Sequence, residues 1–557
     1  MVVLALLVGL LASCREVKIG ARCATKEAAS SGPWVAVCKN GRWTRWITKQ
    51  DGQLLLQAAQ RRRDAEAASL NTTNPPTTAP APTTPPTYPP NNPFVPPTTI
   101  PPPVADCAVL CQIMGMPNGV FPSGDVNLEI TDIPAASPDG KWVAFVAITT
   151  DNATGTNLGV RRAFAKNVVT GQLLALDTAP DGTFQPDPHP TVPSGSLEWS
   201  PDSTRVLFAT SDHLINGVTG YQLYARNVTT GVATLISQDA TGHPGNAESG
   251  TGAWSPDGTK VSFVSSATNW AVAIPPQTDD LFIKNLATGA VAIVSVNAGG
   301  QPSNGGIGHS YWSPDGRRIA YVSTGTNLIP GAGFGEDIVV YDLMTGTSML
   351  ADSTPDGTRA YYGGDYPAWM SDSRTIVFET VSSDLTDHHI GPVIVSKNIV
   401  TGAVTPVSVE EDGSVATSAS FSISPDGRHV ACATYDPSVI VRDVLAGTSQ
   451  TLRLNGTVLT GGPPIWSPDG TKLALFATND IAPGDHNSVA DIYVITPATG
   501  TALVASAAGD GIARGSSTPG APLLWNGTGT MLFFDLDGIQ LTWTGWNFNS
   551  AFVMRRI

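Results

Sequence analysis

The sequence predicts an all-β fold, a β-propeller of about eight four-stranded blades, with seven as the alternative count. Three observations point there. A tight-turn motif recurs eight times between residues 137 and 529. A second turn marker, ending in Thr-Gly or a close variant, lies downstream of the copies. Only 14% of the 557 residues are charged, while 56 are Gly and 45 are Pro, which suits many short strands joined by turns rather than helices.

The first copy is Ser137-Pro138-Asp139-Gly140, followed by the apolar run Trp142-Val143-Ala144-Phe145. The next begin Trp199-Ser200-Pro201-Asp202, Trp254-Ser255-Pro256-Asp257-Gly258 and Trp312-Ser313-Pro314-Asp315-Gly316. Then come Trp369-Met370-Ser371-Asp372, Ile423-Ser424-Pro425-Asp426-Gly427, Trp466-Ser467-Pro468-Asp469-Gly470 and a degenerate Trp525-Asn526-Gly527-Thr528-Gly529. Taking Thr528 as the eighth Asp position, the intervals are 63, 55, 58, 57, 54, 43 and 59 residues. The downstream marker reads Asn227-Val228-Thr229-Thr230-Gly231, Asn285-Leu286-Ala287-Thr288-Gly289 and Asn398-Ile399-Val400-Thr401-Gly402, with Thr170-Gly171, Thr345-Gly346, Ala446-Gly447, Thr499-Gly500 and Thr544-Gly545 in register.

One copy explains itself. Pro sets φ, Gly accepts a positive φ, and Pro-Asp-Gly therefore closes a hairpin between a strand ending at Trp and a strand such as 260–264. The Thr-Gly turn closes a second hairpin. Four strands result, and a lone four-stranded sheet buries both faces only when flanked by its neighbours around a ring. The recurrent Trp is expected to fill the gap between sheets. The degenerate last copy is expected to share a blade with an N-terminal strand at Val126-Asn127-Leu128-Glu129-Ile130, leaving no open edge.

Trp-Ser-Pro-Asp-Gly, an apolar strand, a loop and Thr-Gly together resemble the TolB-like propeller repeat, a WD-like family. Loops such as Asn327-Leu328-Ile329-Pro330-Gly331 and Ala482-Pro483-Gly484-Asp485 are similar to those of its secreted bacterial members. The resemblance covers about three quarters of the chain. It implies the fold firmly; for function it implies mostly protein- or ligand-binding platforms, some of them preceding a catalytic domain.

Ahead of the repeat the sequence divides into a signal segment (1–14), a small Cys/Trp module (15–48), a short helix (49–69) and a Pro/Thr-rich linker (70–105), with the propeller at 106–557. Residues 2–12 form an apolar run too short to span a bilayer and read as a secretory signal. It ends Leu11-Ala12-Ser13-Cys14, which resembles a bacterial lipobox and would make Cys14 the lipidated N-terminus; no Lys or Arg precedes the run, a departure from that pattern. The module carries Cys23, Cys38, Trp34, Trp43 and Trp46, and its Gly-x-x-Cys and Cys-x-x-Gly-x-Trp pattern resembles a small disulfide module at the start of actinobacterial envelope proteins. Cysteine parity suits two local bridges, Cys23 with Cys38 and Cys107 with Cys111. Cys432 falls in an apolar strand pattern and reads as a buried, inert thiol. The linker, nearly all Pro, Thr and Asn, is expected to be extended, reaching roughly 100 Å at about 3.1 Å per residue. The chain is expected to be exported, either to the cell envelope or beyond it, to be a monomer, and to meet a membrane only through a lipid on Cys14.

Charge narrows the partners. The formal net charge is −15, yet residues 15–66 carry 11 Lys/Arg against 5 Asp/Glu, so the rest of the chain carries −21. An acidic main domain excludes nucleic acid as a natural partner and leaves an envelope protein or glycan.

Chemistry-bearing motifs are few. There is no Gly-x-Ser-x-Gly, since Gly308-His309-Ser310-Tyr311-Trp312 fails at its last position, and no phosphate loop, His-Glu-x-x-His or Cys-x-x-Cys. Loops leading into the Trp strands are expected to gather at one mouth of the channel, bringing His189, His243, His309, Tyr361, Tyr362 and Asp365 as candidates for a sugar or peptide. Asp485, Asn487 and Asp491 offer oxygens that suit turn capping ahead of a strand, with Ca²⁺ as the alternative; no other cofactor is expected. Asp384, Asp387, His388 and His389 offer a comparable set for a transition metal or a solvated loop. The sequence thus reads as a binding platform, with a polysaccharide lyase or hydrolase acting in the channel, or a passive scaffold, as alternatives.

Overall fold

The structure is a computed structural model. It describes three strands within 28–48, the strands at 110–112 and 126–130, and residues 134–557 except 152–155, 179–196, 212–213, 216–217, 219, 271–277, 331–334, 387–390, 437, 455, 478–490, 507–522 and 538–549. The described residues fall in two units. In the smaller, Ala28–Ser31, Trp34–Lys39 and Arg42–Thr48 form an antiparallel sheet in which Cys38 lies opposite Trp43. The helix expected over 49–69, and Cys14, Cys23 and Cys107, lie outside the described residues.

Among the described residues the larger unit is an all-β propeller of eight blade sheets, with a small two-stranded sheet, Arg453–Leu454 against Thr457–Val458, between blades 6 and 7 in the chain. Blades 2 to 7 span residues 198–235, 249–293, 307–350, 364–406, 418–451 and 465–504, each with its four strands in chain order. Blade 1 (126–175) has one extra short piece, because Val126–Ile130 and Ala135–Ala136 both pair with Trp142–Asp151. Blade 8 takes three strands from 523–556 and its fourth from Leu110–Gln112, which lies against Ser550–Arg556 with Cys111 opposite Met554. The ring therefore closes with an N-terminal strand as expected, but a different one: Val126–Ile130 belongs to blade 1. With Leu110–Gln112 available, the last copy has its own fourth strand, and the count is eight.

Apolar packing follows the same circle. Eight buried clusters among the described residues each join one blade to the next. The last joins Phe533 of blade 8 to Val143, Phe145 and Phe164 of blade 1. Each blade thereby buries both faces, which no isolated four-stranded sheet can do.

The repeated motif is the joint between blades. Trp199, Trp312, Trp369 and Trp525 each donate the indole N–H to a first-strand carbonyl of the preceding blade: Ala135, Ala253, Tyr311 and Ile465. The Ser of Ser-Pro-Asp is buried and works within its own turn. Ser255 Oγ donates to Asp257 Oδ1 (2.6 Å) and accepts from Lys260 N (2.9 Å). Ser203 and Ser373 stand where other copies have Gly, at φ 59° and 55°. There each hydroxyl accepts a bond from the preceding blade, from Asp139 N (2.9 Å) and Asp315 N (3.0 Å), which offsets the left-handed strain. Ser255→Ala strands a buried donor and is expected to cost about 1–3 kcal/mol in urea unfolding. A loss below about 0.5 kcal/mol would show that the Pro-Asp-Gly backbone holds the turn alone.

Candidate functional site

Antiparallel order fixes where function can sit. In each blade the Ser-Pro-Asp turn and the Thr-Gly turn lie on one face of the ring. The loop between second and third strands, and the connection to the next blade, lie on the other. The second face therefore carries the long segments. First strands of neighbouring blades meet, so they form the channel wall.

Blades 3 to 6 each break the register of the first strand: between Gly250 and Gly252, Ile307 and Ser310, Asp365 and Ala368, and Ser418 and Ser420. A bulge leaves a residue unpaired and re-aims its side chain. The residues left out of register are Thr251 in blade 3, Gly308 and His309 in blade 4, Tyr366 and Pro367 in blade 5, and Ala419 in blade 6. His309 is exposed, and Tyr366 is 63% exposed at φ 51°.

Because the blades are copies, each is a control for the others. One residue earlier, blades 3 and 4 have Gly250 and Gly308 beside Val264 and Val322 of the second strand. Blade 5 has Asp365 directly opposite Glu379. Two carboxylates thus replace a Gly/Val pair. Burial, reinforced by the charge of Asp365, pushes Glu379 up to about 7. Asp365 Oδ1 accepts from Tyr366 N (2.8 Å). Tyr311 of blade 4 approaches this pair across the joint: burial, then Asp365 and Tyr366, raise its phenol above the ordinary value. Further round the wall, burial lifts Glu198 to about 8, where it accepts from Trp254 N (3.3 Å).

The rim over blade 5 is aromatic. Tyr361 and Tyr362 meet edge to face at 4.8 Å and are 62% and 40% exposed. Tyr361 N donates to Asp384 Oδ2 (3.2 Å), and Tyr362 N to Ser382 Oγ (3.3 Å). Tyr435, in the loop between the second and third strands of blade 6, is 64% exposed. With Tyr366 of the blade 5 first strand, these three are the exposed tyrosines among the described residues, and all four belong to blades 5 and 6 or the connection between blades 4 and 5, whereas Tyr224, Tyr321 and Tyr493 are core.

The other expected residues fall elsewhere. His243 caps a small turn in the connection to blade 3: its Nδ1 lies 2.7 Å from Thr241 Oγ1 and 3.3 Å from Asp239 Oδ2, and its amide donates to Asp239 Oδ1. His189, Asp485, Asn487, Asp387, His388 and His389 lie outside the described residues. Asp491 begins the strand Asp491–Thr496, is buried, and accepts from Ser506 Oγ, as Asp280 does from Ser295 and Gln222 from Ser237. Asn327 binds the chain internally, donating to Pro302 O and accepting from Asn304 N. Cys432 is buried in its strand, and burial pushes its thiol up to about 12. Among the described residues no group of three or more His, Cys, Asp or Glu is placed to share a metal ion, and no helix is long and apolar enough to cross a membrane. The sequence pointed to His309, Tyr361, Tyr362 and Asp365, which the fold gathers on blades 4 and 5; it missed Tyr311, Tyr366 and Glu379, which an alignment of the blades on one another would have marked.

No protein-family model matches the chain. No curated protein matches it either. Several solved structures are similar to it. An oligogalacturonate lyase in complex with manganese is 13% identical over 78% of this chain and 96% of its own, with a TM-score of 0.40. Dipeptidyl peptidase 4 of Porphyromonas gingivalis is 12% identical over 74% of this chain and 57% of its own, with a TM-score of 0.47. A putative TolB from Agrobacterium tumefaciens is 17% identical over 49% of this chain and 79% of its own, with a TM-score of 0.30. Identities and TM-scores this low say nothing of this chain's activity.

Proposed function

We propose that the protein is an exported binding platform of the cell envelope, engaging a protein or glycan through the long-loop face of blades 5 and 6. The observation that carries the reading is local departure from an otherwise regular repeat: Asp365 and Glu379 replace the Gly/Val pairs of blades 3 and 4, beside exposed Tyr366, Tyr361 and Tyr362. Tyrosine supplies large contact area at low conformational cost, which is why binding surfaces use it. Export rests on the apolar run at 2–12 and on a cysteine count that suits two local bridges, and is tested by locating the full chain in cell fractions and by loss of lipid labelling in Cys14→Ala.

The binding reading is tested with the full chain on panels of envelope oligosaccharides and of short peptides of graded charge. At least one ligand class is expected to bind. Tyr361→Ala/Tyr366→Ala is expected to lower that affinity tenfold or more, about 1.4 kcal/mol, while Val169→Ala/Leu445→Ala on the opposite face leaves it unchanged. Equal losses from both pairs, or no binder in either panel, would overturn it.

A further inference from the structure

We propose, as the regulation of the face read above as the binding surface, that Asp337 and Asp352 of blade 4 share one proton, and that loss of this proton frees the segment carrying Tyr361 and Tyr362. The functional meaning rests on that reading. The switch itself is a change of conformation and is tested as one, so either can fail without the other.

Strand register places the pair. Val339 lies opposite Leu350 in the third and fourth strands, and Ala351 N donates to Ile338 O, so Asp337 and Asp352 face each other just beyond. Other blades join these two positions side chain to side chain. Ser237 Oγ donates to Gln222 Oε1 and Ser295 Oγ to Asp280 Oδ1, each at 2.6 Å, and Ser506 Oγ donates to Asp491 Oδ1. In blade 1 Arg162 meets Asp177 at 3.3 Å. Among the described residues only blade 4 has a carboxylate at both positions, and both are buried. Two carboxylates accept and cannot donate, so a proton on one of them restores the missing donor. Like charges this close do not both ionise readily. Asp352 Oδ1 is buried and has no hydrogen-bond partner among the described residues, which leaves it for that proton. Burial first, and then the charge of Asp337, raise the Asp352 carboxyl well above the ordinary range, against the pull of two amides. A metal ion is a poorer bridge, because no group of three His, Cys, Asp or Glu among the described residues is placed to share one.

The pair is tied to the connection that leads into blade 5. Asp352 Oδ2 accepts from Ile338 N (2.9 Å) in its own blade and from Gly364 N (3.0 Å) in the next. The Asp352 carbonyl accepts from Ala360 N (3.3 Å), and Asp337 Oδ1 accepts from Arg359 Nε (2.7 Å). Tyr361 and Tyr362 therefore sit between ties at 359–360 and 364. Gly363 lies so close that a Cβ there would stand 3.1 Å from Asp352 Oδ2. The charged residues around the pair are Arg359 and Asp356 of this connection, Glu336 of the loop before Asp337, and Lys397 of the third strand of blade 5. Lys397 feels the charge of Asp352, but its Nζ donates to Ser353 O (2.7 Å) and Thr354 O (2.9 Å). With one proton the pair carries a single negative charge, which Arg359 offsets. As pH rises through the folded value of Asp352 the proton leaves to solvent, and two buried carboxylates oppose each other across the strands. Releasing Ala360 and Gly364 admits water and relieves them. The clamp is therefore complete at low pH and is lost as pH rises through that value.

The test is hydrogen exchange of the full chain at pH 5.5, 7 and 8.5, read as protection relative to each amide's intrinsic rate. Ile338, Ala360 and Gly364 report the pair. Tyr361 and Tyr362 report the rim, where their amides donate to Asp384 and Ser382. Leu281 and Ile394, held by Ser295 and Ser408 at the equivalent position, are the controls. From pH 5.5 to 8.5, protection at the five reporters is expected to fall about tenfold or more against the controls. Asp352→Asn keeps an acceptor, gains a donor and cannot ionise; Asp352→Ser restores the Ser-opposite-Asp pairing of blades 3 and 7. Each is expected to abolish the pH dependence. The infrared band of protonated carboxyl groups at pH 5.5 is expected to be weaker in Asp352→Asn than in the wild type. Protection that ignores pH, or equal carboxyl bands in the two proteins, would overturn the shared proton. A fall at Ile338 and Gly364 with Tyr361 and Tyr362 unmoved would overturn the switch and leave the reading of the face intact. A rim that loosens with pH on a chain that binds nothing in either panel would uphold the switch and remove the binding reading.

Discussion

Phe533→Ala is expected to cost about 3–5 kcal/mol, the usual range for emptying a fully buried aromatic site, and to loosen the ring at one place. Phe533 sits in the cluster that joins the last blade to the first, against Phe145 and Phe164. This contact spans nearly the whole propeller in sequence, so it forms only when the ring shuts. Phe378→Ala, between blades 4 and 5, removes the same side chain from a joint between consecutive blades. The two variants should lose similar stability in denaturant. Their hydrogen-exchange patterns should differ. In Phe533→Ala, amides of blades 8 and 1 should exchange first while blades 3 to 6 stay protected, because interior joints survive the opening of the ring. Deleting residues 1–113 should add to the effect by removing Leu110–Gln112 and leaving Ser550–Arg556 as a bare edge. Uniform loss of protection in Phe533→Ala would mean that closure holds no special place in the cooperativity of the ring.

The parts of this architecture that were legible in the sequence are those with local causes. Pro-Asp-Gly and Thr-Gly turns need particular φ values, so they mark their hairpins whatever surrounds them and give eight copies, while the choice between seven and eight blades waited on the closing strand. The closing strand has no such mark. Leu110-Cys111-Gln112 is three residues without a turn motif, chosen by pairing with a partner more than 400 positions away. Val126–Ile130, a longer and better strand former, paired with its near neighbour Trp142–Asp151 instead. The site divides the same way. His309, Tyr361, Tyr362 and Asp365 could be placed because the topology sends their segments to the channel mouth. Glu379 lay hidden inside Thr375–Thr380, a run that reads as an ordinary strand. Tyr366 depends on a bulge, a matter of register that single-strand patterns do not record.

The same blade-to-blade comparison isolates a second carboxylate and gives the pH prediction. At the end of the fourth strand, Ser237, Ser295, Ser408 and Ser506 each accept a backbone N–H from the adjacent strand. Blade 4 has Asp352 there, fully buried, with Oδ2 accepting from Ile338 N (2.9 Å) and from Gly364 N (3.0 Å), the residue before Asp365. Burial, with the neighbouring charge of Asp337, pushes Asp352 up to about 7. An unfolded Asp titrates near 3.9. Between those values the folded chain keeps a proton that the unfolded chain has released, so this group's contribution falls as pH rises through the window and is least favourable above 7. Asp352→Asn retains an acceptor for both amides and cannot ionise. It is expected to raise unfolding free energy at pH 8 by on the order of 2–4 kcal/mol and to change it little at pH 4. Glu198 and Asp280 are raised for the same reason, to about 8 and about 6, so the wild-type profile alone would mix several groups. The difference between variant and wild type in urea at pH 4, 6 and 8 separates Asp352 from them. Parallel profiles would mean that Asp352 stays neutral or stays charged throughout. A difference that opens between pH 4 and 8 would show that the backbone link between the blade 4 connection and the first strand of blade 5 is held by a carboxylic acid at low pH and strained by a carboxylate at high pH.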